Sequence, residues 1–249
     1  MIKDFAYFSE QGIRSLNQDS IYASVCEGRG IFAVADGMGG HTGGSIARGA
    51  IVNGIKNWWR SNEFAKTNES AESVAEMCQT LLKNINSEVY QFFYEKGQTG
   101  GSTAAVLILW DGQYEILSAG DSRIYHVEGE KLKQLTTDDV WENLPDVRYG
   151  MPNEAVAADS RYGKLTEALG SDEKLNICRV EGMLKEKEWF LLCSDGVYKS
   201  CPHDELEKIM CGGILKHSAE KKKKLIKKCA LKYRTDDNYS AILCFATTK

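Results

Sequence analysis

The order of apolar periods along this 249-residue chain predicts an α+β fold of four layers, an α-β-β-α sandwich of two antiparallel sheets flanked by helix pairs. Three observations predict it. Strand-like pieces open the chain, two helical stretches follow, then many strands, a second helical pair and one last strand. The first helix pair carries its apolar residues along one side, so each of its helices must lay that side on something. The run Ile31 to Ala35 is apolar without interruption, which demands cover on both faces of its sheet.

Residues 2–8 and 20–26 have the apolar and β-branched content of neighbouring strands, and Gly28 to Gly30 supply the turn into the strand that ends at Asp36. A polar loop, Gly12 to Asp19, lies between the first two. Helices are expected over Ser45–Arg60, with Ile46, Ala50, Ile55 and Trp58 or Trp59 on one side, and over Ser70–Lys96, with Val74, Met77, Leu81, Ile85, Val89 and Phe92 at spacings of three or four. After Gly101 come strand-like Ala104–Trp110, the Asp111-Gly112 hairpin signal, Tyr114–Ser118, Ile124–Val127 and Lys131–Leu135, read as one meander. Residues 136–163 have no convincing period and hold two of the three prolines, the mark of a lid or binding loop. Strands resume at Leu175–Val180 and Trp189–Ser194, helices at His203–Met210 and Ser218–Tyr233, and the last strand is Tyr239–Phe245. The lysines of the last helix, Lys221 to Lys224, Lys227 and Lys228, read as a solvated face.

With three prolines and no low-complexity stretch, residues 1–249 are expected to be a single domain. A composition that is 43% apolar and 27% charged is that of a globular protein and excludes disorder as the basis of function. A net charge of −4 argues against nucleic acid as a partner. No apolar run approaches the roughly 20 residues that span a bilayer. The opening MIKDFAYFSE lacks the apolar core of a signal peptide, so a cytoplasmic location is expected. The eight cysteines are scattered without a C-x-x-C pair, which fits buried thiols better than a zinc ribbon or a disulfide scaffold.

Chemistry concentrates in Gly30 to His41, GIFAVADGMGGH. The strand delivers Asp36 to the rim of the core, where a carboxylate is either a helix cap or a ligand for a cation. Gly37, Gly39 and Gly40 suit a tight turn better than a helix start, which favours the ligand. Asp19, Asp121, Asp195 and Asp237 also stand where strands meet loops, and Ala35-Asp36-Gly37 is echoed by Ser194-Asp195-Gly196. Convergent carboxylates would need cations, and all-oxygen donors suit hard ions such as Mg²⁺ or Mn²⁺. Spacing alone leaves convergence and a scatter of caps and turns on an equal footing.

Seven segments decide between them: Arg14-Ser15-Leu16-Asn17-Gln18-Asp19, Asp36-Gly37-Met38-Gly39-Gly40-His41, Gly101-Ser102-Thr103-Ala104, Gly120-Asp121-Ser122-Arg123, Leu165 to Gly170, Ser194-Asp195-Gly196 and Asp237-Asn238. Together they resemble the ordered motifs of the PPM family, the metal-dependent type 2C serine/threonine protein phosphatases, and most resemble its bacterial branch. The resemblance runs from about residue 5 to about residue 245. One Asp-Gly pair is weak evidence; seven motifs in order are specific.

The resemblance implies the same sandwich, with two Mn²⁺ or Mg²⁺ ions between the sheets. It implies Asp36, Asp195 and Asp237 as ligands of the first ion, and Asp36, the Gly37 carbonyl and Asp19 as ligands of the second. Asp121 with Asp195 matches a third, weaker position, and Arg14 matches the arginine that binds the substrate phosphate. The implied reaction is hydrolysis of phosphoserine and phosphothreonine in proteins by in-line attack of a hydroxide shared by two ions ~3.5–4 Å apart, with no phosphoenzyme. Phosphoproteins made by a serine/threonine kinase are the implied partners, in bacterial signalling, and a monomer is expected. Two departures stand out. Met38 occupies the place of a histidine that serves eukaryotic relatives as proton donor, leaving His41 or a water for that task. Gln18 replaces a common glutamate, which weakens the support for the ions without removing it. The irregular segment 136–163 corresponds to the family's variable flap, in which Trp141 serves packing or peptide contact and Asp138 and Asp139 fix the start. A phosphatase-like binding module without turnover, or an enzyme for small phosphoesters, are the competing readings; the complete set of aspartates speaks against the first.

Overall fold

Five apolar residues in a row, Ile31 to Ala35, are all fully buried, and the fold is arranged so that both sides of their strand are covered. The computed structural model describes residues 1–62, 64, 67–212 and 218–248. In chain order its elements are β1 (Ile2–Glu10), β2 (Asp19–Cys26), β3 (Arg29–Met38), α1 (Gly40–Ser61), α2 (Ala71–Lys96), β4 (Gly101–Ser102), β5 (Ala104–Trp110), β6 (Gln113–Ala119), β7 (Arg123–Glu128) and β8 (Lys131–Gln134). There follow a 3₁₀ turn (Trp141–Asn143), α3 (Pro145–Gly150), α4 (Asn153–Ala158), β9 (Cys178–Met183), β10 (Glu188–Cys193), α5 (Asp195–Tyr198), α6 (His203–Cys211), α7 (Ala219–Lys232) and β11 (Tyr239–Ala246).

One sheet has the order β1-β11-β10-β7-β8 and the other β2-β3-β5-β6-β9, with the short β4 on the end of β3. All named pairings are antiparallel. Phe32, Val34, Leu107, Ile116, Phe190 and Ile242 meet in the layer between the sheets. Outside, α1 and α2 cover the second sheet through Ile51, Ile55, Leu82 and Phe93 on Ile31, Val106 and Ile108. On the far side α6 and α7 cover the first sheet through Leu206, Met210 and Ile226 on Trp189, Leu191 and Leu243. The four-layer α-β-β-α order is the one expected.

Several details differ. The first two strands are not neighbours: β1 pairs with β11 and β2 with β3, so each opens a different sheet. Nor is the stretch after Gly101 one meander. Asp111 and Gly112, both at positive φ, turn β5 into β6, but Gly120 at φ 96° ends that hairpin and sends β7 and β8 to the opposite sheet. The first helix starts at Gly40, five residues before the expected Ser45, because Gly37 and Gly44 let it lie against the end of β3; a Cβ on Gly37 would stand 2.4 Å from the Gly44 carbonyl oxygen. In α2 Val74, Ile85 and Val89 are buried as expected, but Cys78, Leu82 and Phe93 complete the stripe, one position on from the expected Met77, Leu81 and Phe92. Ser70 caps this helix by accepting from the Ser73 N–H at 3.1 Å.

The flap contains α3 and α4, wrapped around Trp141, Val147 and Val156. Helices this short leave little period to read. The expected strand Leu175–Val180 is displaced to β9, and α5, a single turn, went unforeseen. Lys222 is not on a solvated face: it is fully buried and donates to the carbonyls of Ile209, Met210 and Gly212 at the end of α6. Cys26 and Cys178 are exposed, unlike the buried thiols expected. No described helix is long and apolar enough to cross a membrane.

Candidate active site

Strand pairing alone brings the first two aspartates together, since Asp19 opens β2 and faces Asp36 near the end of β3. The other sheet contributes from the same edge. Asp195 follows β10, Asp237 precedes β11, and Asp121 lies in the link from β6 to β7. A cleft of about 250 Å³ between the two sheet edges is lined by Arg14, Gly37, Asp36, Asp121, Asp195, Lys199 and Asp237, among others. Asp19 lies in its wall, 3% exposed. A larger cleft of about 380 Å³ beside Met38, walled by Tyr90, Phe93 and Tyr94, contains none of these carboxylates and so none of the chemistry.

Backbone and hydroxyl contacts hold the cluster. The Ser194 hydroxyl donates to Asp19 Oδ2 at 2.7 Å and accepts from the Ser240 N–H at 3.0 Å, tying the two sheets at the point where the carboxylates meet. Thr103 does the same for Asp36: its N–H donates to the Asp36 carbonyl and its Oγ1 accepts from the Asp36 N–H at 3.0 Å, while lying 2.6 Å from Ser122 Oγ beside Asp121. Gly196 packs so closely on the start of β11 that a Cβ there would stand 2.0 Å from the Asn238 carbonyl oxygen, which sets Asp195 beside Asp237. Asn238 fastens the 11–18 loop, accepting from the Gln18 N–H at 2.8 Å and donating to the carbonyls of Gln11 and Leu16. Arg14, on that loop, reaches Asp237 Oδ2 at 2.9 Å and the Asp236 carbonyl at 2.8 Å while its side chain stays 54% exposed at the cleft.

The electrostatics are those of carboxylates short of positive charge. Burial pushes Asp19 up to about 6 against the hydrogen bonds from Ser194 and Ser240, with the charges of Asp195 and Asp237 adding to the rise. Asp36 is raised well above the usual carboxylate range, first by burial and then by the charges of Asp19, Asp195, Asp121 and Asp237. Asp121 and Asp237 are raised by burial as well, partly offset by Lys199 and Tyr198 at the first and by the Asn238 N–H and Arg14 at the second. Arg14 and Lys199 offset two of the five negative charges.

These residues fit hard cations in the character of their donors. Asp19 Oδ1 and Asp195 Oδ1 are buried without a hydrogen-bond partner, and a buried carboxylate oxygen is costly unless something positive meets it. Among the described residues no three acidic, histidine or cysteine side chains close around one point by themselves.

Of the residues singled out by sequence, Arg14, Asp19, Asp36, Gly37, Asp121, Asp195 and Asp237 all meet at this edge. The Gln18 side-chain amide donates to the Gly40 carbonyl at 2.8 Å, linking the loop to α1. The His41 side chain lies outside the described residues. Trp141 is buried in the flap under Arg161, and Asp138 and Asp139 anchor the flap on Arg123 and on the Gly120 N–H. Sequence reasoning missed Ser194, Thr103 and Lys199 as working members of the site. Lys199 carried no signal of its own, because the helical turn that sets it four residues on from Asp195 was not legible in the sequence.

Comparison with known proteins supplies the family. The family model described as "Protein phosphatase 2C" matches residues 11–228. "Serine/threonine phosphatase stp" of Listeria monocytogenes is 29% identical over 218 residues, 86% of this chain and 83% of that protein. "Protein phosphatase PhpP" of Streptococcus pneumoniae is 30% identical over 203 residues, 81% of each. Among solved structures, serine/threonine phosphatase Stp1 from Staphylococcus aureus superposes with a TM-score of 0.83 at 21% identity, covering 98% of this chain and 94% of that one, a likeness of fold. With the family model spanning most of the chain, and relatives of the same kind alongside it, the chain belongs to the protein phosphatase 2C family and is a phosphoprotein phosphatase.

Proposed function

We propose that this chain removes phosphate from phosphoserine and phosphothreonine in proteins, using two Mn²⁺ or Mg²⁺ ions held in the aspartate cleft. The observation that carries the reading is the pair of buried, unpartnered oxygens on Asp19 and Asp195 among carboxylates that burial first, and mutual repulsion after it, keeps from ionising freely. Asp36, Asp195 and Asp237 would hold one ion, and Asp36, Asp19 and the Gly37 carbonyl the other. When bound, such a pair supplies a water activated for attack at neutral pH and positive charge at phosphorus. The relatives' names, serine/threonine phosphatase among them, support the choice of substrate.

The chain's own residues do the rest. Arg14 offers the exposed part of its guanidinium to the phosphate oxygens, and Asp237 with the Asp236 carbonyl fixes its direction. That contact is made as the ester arrives and persists as charge spreads over the equatorial oxygens. Asn238 keeps the 11–18 loop, and so Arg14, at a set distance from Asp237. Met38 in the cleft wall carries no proton, so the departing serine or threonine oxygen would take its proton from water in the cleft or from His41. Gly163 at the end of the flap and Leu165 just beyond it close one side, where the peptide around the phosphoresidue would pass.

The test is hydrolysis of matched phosphoserine, phosphothreonine and phosphotyrosine peptides beside an aryl phosphate, with Mn²⁺ titrated into chelator-stripped protein. The proposal expects Mn²⁺-dependent turnover of the first two peptides, with kcat/KM at least about tenfold above the phosphotyrosine peptide. Equal turnover of all four, or turnover of the aryl phosphate alone, contradicts it.

A further inference from the structure

The resemblance of the sequence to its family puts a third, weaker cation between Asp121 and Asp195. In the structure that place already holds a positive charge. Lys199 Nζ lies 2.7 Å from Asp195 Oδ2 and 3.5 Å from Asp121 Oδ2, bridging the two carboxylates. Asp121 Oδ2 also accepts from the Tyr198 hydroxyl at 3.0 Å. The Tyr198 ring is fixed in turn by the guanidinium of Arg123 stacked 3.5 Å from its centre, and Arg123 is held in a fork by Asp138 at the base of the flap.

The oxygens a third divalent ion would need are therefore engaged. An ion there requires carboxylate lone pairs at about 2.0–2.6 Å. On both aspartates the oxygen facing the gap already accepts a hydrogen bond from Lys199, and the ammonium would repel the newcomer at close range. Asp195 is divided by this arrangement: Oδ2 goes to Lys199, while Oδ1 stays buried without a partner.

We infer that the Lys199 ammonium is a built-in cation standing where a third divalent ion would bind, so that the enzyme completes its site with two ions. The inference rests on the two-ion reading above. Lysine suits the task because its charge is compact, its stem flexible, and its head bears donors enough for two carboxylates. One turn of helix from Asp195 to Lys199 brings it there, since residues four apart share a helix face.

The experiment counts ions. Chelator-stripped protein is titrated with Mn²⁺ at neutral pH, and free Mn²⁺ is followed by electron paramagnetic resonance. Wild type should bind two ions. Lys199→Met, at a side chain 57% exposed and therefore tolerant of change, should bind three, the third more weakly. Adding Asp121→Asn to Lys199→Met should return the count to two. A third ion on wild type that Asp121→Asn removes would overturn the inference, as would an unchanged count of two in Lys199→Met. No ion on wild type would instead bring down the two-ion reading and this inference with it.

Discussion

Arg14 works at the scale of a single side chain. It is half exposed, held from behind by Asp237 and the Asp236 carbonyl, and stands in the wall of the cleft. Such a group meets substrate and transition state alike, so its loss is felt first in binding. For Arg14→Ala the expected result is a KM for phosphopeptides raised by roughly tenfold or more with a smaller change in kcat. Steady-state kinetics at saturating Mn²⁺ check it, and an unchanged KM would remove Arg14 from the phosphate. The sequence showed this residue, and every aspartate of the cluster, because these lie inside short motifs in fixed order. Ser194 and Thr103 also lie inside those motifs, but their roles could not be read there for a physical reason: a hydroxyl acts through the partner that folding brings it, and Asp19 lies 175 positions away from Ser194.

Among the elements, the helices differ most from what the periodicity suggested. A stripe of lysines on α7 reads as a solvated face, yet the ammonium of Lys222 caps three carbonyls at the end of α6 with the Trp189 ring 5.1 Å away. Helix ends leave carbonyls unpaired, and a buried end must find donors from elsewhere. Hydropathy cannot announce that donor, because long side chains bury their stems and only the tertiary fold decides where the head goes. Lys222→Met should cost about 1–3 kcal/mol by stranding those carbonyls. Burial brings the Lys222 pKa down to about 8 from 10.5. The folded chain thus binds fewer protons than the unfolded chain between those values, so this group's penalty is fully present below pH 8 and relieved as pH rises toward 10.5. The variant lacks that titration, so the gap in stability between wild type and Lys222→Met should widen from pH 8 to pH 10. Urea unfolding at both values measures it; a gap that narrows would contradict the role. The flap teaches the same lesson: α3 and α4 are too short to show a period, and Trp141, legible only as an aromatic residue in a loop, is the centre of their small core.

For the whole molecule, the four layers were legible because they follow from where apolar faces must go. Partnering was not. Which strand lies beside which depends on contacts across the chain, such as β1 with β11, and a strand's own pattern is the same whichever sheet receives it. The turn at Gly120 that divides the expected meander between the two sheets is also what carries Asp121 to the shared edge. The Asp36-Gly37 and Asp195-Gly196 pairs stand at the ends of central strands, one from each sheet, and the packing of Gly37 on Gly44 and of Gly196 on Asn238 brings their carboxylates to one cleft. A sandwich of this kind gathers negative charge at its edge at the expense of its own stability. On the proposed reading divalent cations would repay that cost and supply the chemistry, with Asp36 at the centre because, besides its burial, four other carboxylates act on it.

Turnover of a phosphothreonine peptide, followed as Mn²⁺ is added to chelator-stripped wild type and to Asp36→Asn, tests this most directly. Wild type should be silent without metal and saturate with it, while Asp36→Asn should stay at least about 100-fold lower at every Mn²⁺ concentration with its thermal unfolding intact. Turnover without metal, or an Asp36→Asn rate within a few-fold of wild type, would contradict the account.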